Sequence, residues 1–101
     1  MLYCVLADVK VILQETSTNF DAEIDSCIPS ASGLVDGFLK REGLTVPAAV
    51  PQLIKDATAH FAAWQIRRRR DPVGAEAFWE EAKRFLTAYI EAERKVPFRV
   101  A

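Results

Sequence analysis

Histidine and cysteine are scarce in this chain: one of the first and two of the second in 101 residues. His60 has no cysteine or second histidine at metal-ligand spacing, so nothing assembles the three or four ligands that zinc takes. Cys4 and Cys27 form no CxxC or other redox spacing and read as small buried hydrophobes in a reducing cytoplasm. The four glycines are scattered, and no phosphate-cradling loop can be built from them. No apolar run reaches the ~18 residues a membrane span needs. Asp8 and Lys10 interrupt the N-terminal "MLYCVLADVKVIL", which lacks the basic start of a signal peptide. A nucleophile constellation is missing too. The serines of "SCIPSAS" have no histidine near them, while Asp21, Glu23 and Asp25, two apart, diverge around a helix as an acidic first turn. No catalytic, cofactor-binding or metal-binding residue is expected, and no enzyme.

What is present suits one globular domain spanning residues 1–101, half apolar and 27% charged. At this size the core is thin, which favours stability shared with neighbouring subunits. The net charge is only −1, yet its distribution is polar. Residues 1–60 hold four Lys/Arg against eight Asp/Glu, net −4, and residues 61–101 hold nine against six, net +3. Such polarity suits head-to-tail contact between copies as well as it suits a polyanion.

The apolar period is helical throughout, and no segment alternates like a strand. A short first helix is predicted over residues 6–14, with Val9, Ile12 and Leu13 inward. The loop "ETSTN" follows, with Thr18 or Asn19 as N-cap. A long second helix carries Phe20, Ile24, Ile28, Ala31, Val35 and Phe38 in one phase and ends at Gly43 as its C′ residue. Pro29 lies inside it and is expected to kink or split it, although the apolar phase survives across the proline. Pro51 opens a third helix reaching about Arg70. Leu53, Ile54, Ala57, Phe61 and Trp64 form one apolar face of that helix, and Ala59, Ala62, Ala63 and Ile66 a second. A helix apolar on two sides is central in a bundle or shared with another subunit. "RDPVG" is the predicted turn into an antiparallel fourth helix from about Ala75, with Glu76, Glu80 and Glu81 early and Arg94 and Lys95 late. A tail leaves the helix at Pro97, extended. The fold class is all-α, with four helices.

Arg67, Arg68, Arg69 and Arg70 are the one conspicuous cluster. Successive helical positions advance about 100°, so these four fan around the axis and make no flat patch of the kind a DNA-reading helix presents. They suit a helix C-terminus, where cations meet the partial negative charge, facing Glu76, Glu80 and Glu81 of the next helix. A contact with another subunit or with DNA phosphates is the functional alternative, and a small helical DNA-binding regulator is the rival to any structural role.

The succession of "YCVLADVKVIL", "IDSCIPSASGLVDGFL", "VPQLIKDATAHFAAW" and "RRRRDPVGAEAFWEEAKRFLTAYI" resembles the small head–tail connector (head-completion adaptor) proteins of tailed phages, the Mu-like prophage branch above all. The resemblance implies a structural subunit without catalysis or cofactor. It implies assembly as a ring beneath the portal protein, at the virion head–tail interface, after synthesis in the bacterial cytoplasm. It also implies docking of the next head-completion or tail protein, at most non-specific contact with packaged DNA, and no membrane. Val9, Ile12, Ile28, Leu53, Trp64, Trp79 and Leu86 map as packing positions, and Arg67, Arg68, Arg69 and Arg70 as a subunit or channel contact.

Overall fold

The computed structural model describes residues 2–94, and within them the chain is all-α: α1 (Leu6–Leu13), α2 (Asp21–Arg41), α3 (Gln52–Arg67) and α4 (Pro72–Arg94). The predicted extended tail lies outside the described residues.

α1 begins where the Asp8 carboxylate accepts the Val5 N–H at 3.0 Å, a side-chain cap from the third helical position. It stops at Gln14, one residue earlier than predicted, because Gln14 turns left-handed at φ 58°. The loop that follows is built on Glu15, whose Oε1 accepts the backbone N–H and the hydroxyl of Ser17 at 3.0 and 2.9 Å. These two bonds, then the charges of Lys10 and Arg70, hold the Glu15 carboxyl below its ordinary pKa. The Ser17 hydroxyl in turn accepts the Asn19 N–H at 3.4 Å. Thr18 and Asn19 therefore do not cap α2. That helix starts at Asp21 without a side-chain cap, and the Asp21 carboxylate meets Lys10 Nζ of α1 at 2.8 Å.

α2 runs unbroken through Pro29. Pro29 and Asp25, whose carbonyl the proline leaves without its helical donor, both lie on the exposed side, where water can serve that carbonyl. The buried stripe is Ile24, Cys27, Ile28, Ala31, Ser32, Val35 and Leu39, and Phe20 and Phe38 are half-buried at its edge. Gly43 is the C′ residue, as expected. Its N–H reaches the Lys40 carbonyl at 3.0 Å and the Leu44 N–H reaches that of Leu39 at 2.9 Å. This Schellman closure needs the positive φ of 74° that glycine adopts freely.

The boundary between α3 and α4 differs from the sequence reading at both sides. α3 ends at Arg67, and residues 68–70 form the turn. α4 begins at Pro72, three residues before the predicted start, because Asp71-Pro72 is itself the start signal. Asp71 Oδ1 accepts the Gly74 N–H at 3.0 Å, and proline needs no partner at the first helical position. Pro51 likewise stands just before α3, its carbonyl accepting the Ile54 and Lys55 N–H groups at 3.1 Å.

α3 is the central helix and packs against each of the others. Seven of its 16 residues are buried: Ile54, Ala57, Thr58, Ala59, Phe61, Ala62 and Ala63. Its contacts with α4 run antiparallel, as the ring pairs show: His60 with Phe85 at 5.1 Å, Phe61 with Trp79 at 5.1 Å and Trp64 with Trp79 at 4.6 Å. Phe38 of α2 stacks on Phe61 at 5.8 Å and meets Trp79 edge-on. Of the packing positions the resemblance implied, Val9, Ile28 and Leu86 are buried, whereas Ile12, Leu53, Trp64 and Trp79 are half-buried. The N-terminal segment is fastened to α2 by the buried Tyr3, whose N–H donates to Ser32 Oγ at 3.2 Å and whose hydroxyl donates to Asp36.

Two outcomes follow from these contacts. Asp71→Ala removes the α4 cap and should lower unfolding free energy by about 1 kcal/mol in urea titration. Burial, the Asp36 hydrogen bond and the Asp36 charge push the Tyr3 phenol from 10.0 up to about 12. A raised folded-state pKa stabilises below the unfolded value and is lost as pH climbs through the folded one. Stability should therefore fall from pH 10 to about 12, and Tyr3→Phe should fall less steeply over that window.

Candidate functional site at the arginine turn

The fan that helical geometry predicts for the four arginines is present, and each guanidinium ends on a different partner. Arg67, the last helical residue of α3 and half-buried, lies over the Phe78 ring of α4 at 5.6 Å. Arg68, the C-cap residue, folds back over Trp64 at 4.3 Å. Arg69 crosses to Glu23 near the start of α2. Arg70 covers the Phe20 ring at 4.3 Å. Cations over aromatic faces gain about 0.5–1 kcal/mol at exposed sites, and an exposed ion pair gains up to about 1 kcal/mol. The run is thus a helix end, as expected, but Glu76, Glu80 and Glu81 do not receive it. Glu81 pairs with Arg84 instead, at 3.4 Å. The aromatic seam between α3 and α4 reaches the turn before those acids do and offers ring faces to Arg67 and Arg68.

Arg67 and Arg70 also line a small cleft with Leu13, Glu15, Phe20, Ile24 and Ile66. Its floor is apolar and its rim carries two guanidiniums and the Glu15 carboxylate. A duplex would find the four charges divided among three elements and opposed by Glu15 and Glu23, which suits phosphate contact without sequence readout. Of the arginine partners only Trp64, four residues before Arg68, stands at a helical spacing; Phe20, Glu23 and Phe78 stand at no recognisable spacing from the run.

The other singled-out residues have structural surroundings. His60 is half-buried, its Nδ1–H donating to the Asp56 carbonyl at 2.7 Å, with its ring against Phe78 and Phe85. Both cysteines are free and buried. Burial, then the Asp8 charge, pushes the Cys4 thiol from 9.0 up to about 12, so it carries no thiolate near neutral pH. Among the described residues no three His, Cys, Asp or Glu side chains gather where a metal ion could be held. No helix among them is long and apolar enough to cross a membrane.

Alanine at Arg67, Arg68 or Arg70 should each lower unfolding free energy by about 0.5–1 kcal/mol, and at Arg69 by less than about 1 kcal/mol. Urea denaturation of the four variants checks this. Four unchanged stabilities would mean that the guanidiniums are held for a partner and not for the fold.

Residues 4–99 match the family described as Bacteriophage Mu, Gp36. No curated protein and no solved structure matches the chain. The family match spans α1, α2, α3 and α4 together, so it concerns the whole domain and not one motif, and it bears out the resemblance to Mu-like phage proteins at the level of the family. The chain belongs to the bacteriophage Mu Gp36 family.

Proposed function

We propose that this protein is a structural head–tail connector subunit of a Mu-like phage or prophage. Copies assemble as a ring beneath the portal protein and dock the next head-completion or tail protein. The observation that carries the reading is the family match across residues 4–99, which covers all four helices. The role at the head–tail interface extends that family assignment through the motif order that the connector proteins share.

Physical features of the domain support assembly. Leu2, Val5, Val11 and Val73 leave 57, 62, 77 and 79% of their surface exposed, apolar area that a neighbouring copy could cover in a chain of so thin a core. Charge of opposite sign on the two halves suits heterologous contacts, which close into rings when the rotation allows. Packaged DNA would touch such a ring through phosphates alone, with Arg67, Arg68, Arg69 and Arg70 as candidate cations that would be shared with their partners inside the domain.

Light-scattering molar mass over a wide concentration range, with negative-stain images of the top fraction, tests the proposal. Closed rings are the expected result. A chain that remains monomeric throughout counts against ring assembly. A stable dimer that binds duplex DNA with a steep salt dependence would replace the connector reading with the DNA-binding regulator.

A further inference from the structure

The surface holds two features that stand largely outside the packing of the domain. The first is a ridge. Of the four exposed large hydrophobics among the described residues, Leu2 and Val5 stand just before α1 and Val11 within it. Val5 is the N-cap residue of α1, and Asp8 and Val11 follow at steps of three, each beside the next; Leu2, Val5 and Asp8 line one cleft, with Lys55 of α3, and Asp8 and Val11 the adjoining one. Asp8 sets a single carboxylate in this apolar edge: one oxygen caps α1 by accepting the Val5 N–H, and the carboxylate has no ion-pair partner among the described residues.

The second feature is a groove between α2 and α4. Its α2 side is made by Ser30, Gly33, Leu34, Gly37, Phe38 and Arg41, and it continues past Phe38 and Arg41 to Lys83, Leu86 and Ile90 of α4. Gly33 and Gly37 lie inside a long helix, where glycine is a poorer choice than alanine. Neither packs against anything: a side-chain carbon added at either meets no atom within 4 Å. The domain therefore gains nothing from their smallness. Arg41 and Lys83 flank the groove, and neither forms an ion pair among the described residues, while the nearby Glu42 is already paired with Arg94.

Ridge and groove lie on different sides of α3. Asp56 and Ala59 line the cleft shared with Val11 of α1, whereas Phe61, two residues on and so about 200° around the axis, packs against Phe38 and Trp79. No residue lines both the clefts beside α1 and the groove.

We infer that the α1 ridge of one copy seats in the α2–α4 groove of the next. The glycines let the incoming helix approach the α2 backbone, Leu34, Phe38 and Ile90 meet the exposed valines, and Asp8 reaches the cations Arg41 and Lys83. Complementary charge selects a second copy as the occupant: an acidic apolar ridge and a basic apolar groove stand on the same chain. Because the two surfaces differ, each copy uses one and offers the other, which is a heterologous contact. The inference rests on the ring reading and names the contact that would build it.

Two single variants, each altered on only one surface, form the test. Val11→Asp places a charge on the ridge at a side chain 77% exposed. Gly37→Leu fills the groove where the structure has open space. Both should fold, with a melting temperature unchanged for Val11→Asp and unchanged or raised for Gly37→Leu. Each alone should be monomeric where the parent assembles. Mixed, they should form a one-to-one dimer and nothing larger, since one contributes only a sound groove and the other only a sound ridge. Variants that assemble as the parent does would overturn this contact and leave the ring standing. Monomeric variants that fail to pair on mixing would overturn the ridge-to-groove match, and so would a large loss of melting temperature in Val11→Asp, which would mean that the ridge is covered within its own chain. A parent that is itself monomeric at every concentration removes the ring and this contact together.

Discussion

The packing of α3 against three other helices at once is the constraint from which the rest of the domain follows. A helix touched by three others cannot carry an unsatisfied polar group along its middle. The two polar side chains placed there are answered within the helix itself: Thr58 Oγ1 donates to the Ile54 carbonyl at 2.8 Å, and His60 Nδ1 to that of Asp56 at 2.7 Å. Ala57, Ala59, Ala62 and Ala63, all buried, keep the helix thin enough for its neighbours to approach together. Charge is confined to the ends. Lys55 and Asp56 stand in the opening turns, and no charged residue follows until Arg67. The arginine run begins where α3 leaves the protein interior, so its position is a consequence of packing before it is anything else.

The same constraint explains how the arginines are held. The seam between α3 and α4 is aromatic, and a seam of rings that reaches the surface ends in exposed π faces. Guanidiniums stack on such faces and stay hydrated at their edges. Arg67 over Phe78 and Arg68 over Trp64 close that end of the seam. Arg69 and Arg70 then tie the turn to Glu23 and Phe20, so the beginning of α2 is fixed to the end of α3. Each contact is weak by itself, and together they position the loop before α2 without adding to the core.

Periodicity was enough to reveal four helices, the central rank of α3 and the C′ role of Gly43, because those depend on which residues are apolar and on local backbone geometry. Pro29 was legible only in part. Its cost depends on which side of the helix it faces, and the apolar phase that survives across it already placed it outward. The α3–α4 boundary was misread because four arginines extend a helical pattern as readily as a turn, while the Asp71-Pro72 start signal lies just beyond them. Of the arginine partners only Trp64, one turn before Arg68 on the same helix, was open to a local reading. Phe20, Glu23 and Phe78 are set by how α2 and α4 pack on α3, and no local spacing encodes that. Nor do Gly33 and Gly37 declare themselves in sequence: a glycine under a packed neighbour and one under open space look the same until the neighbours are placed.

That last distinction bears on which residues have no use inside the domain. The run that draws the eye, Arg67 to Arg70, is largely committed within the domain. The features without an internal use are quieter: exposed valines on α1 and uncovered glycines on α2. A positive charge can be shared between a ring face and a passing phosphate at small cost, since each exposed stack holds it by only about 0.5–1 kcal/mol. An uncovered glycine inside a helix has no such second use within the monomer. It lowers helix stability by about 1 kcal/mol relative to alanine, and no contact inside the domain offsets that at Gly33 or Gly37. The small residues of α2, more than the arginines, are therefore the ones whose identity the packing of this domain does not explain.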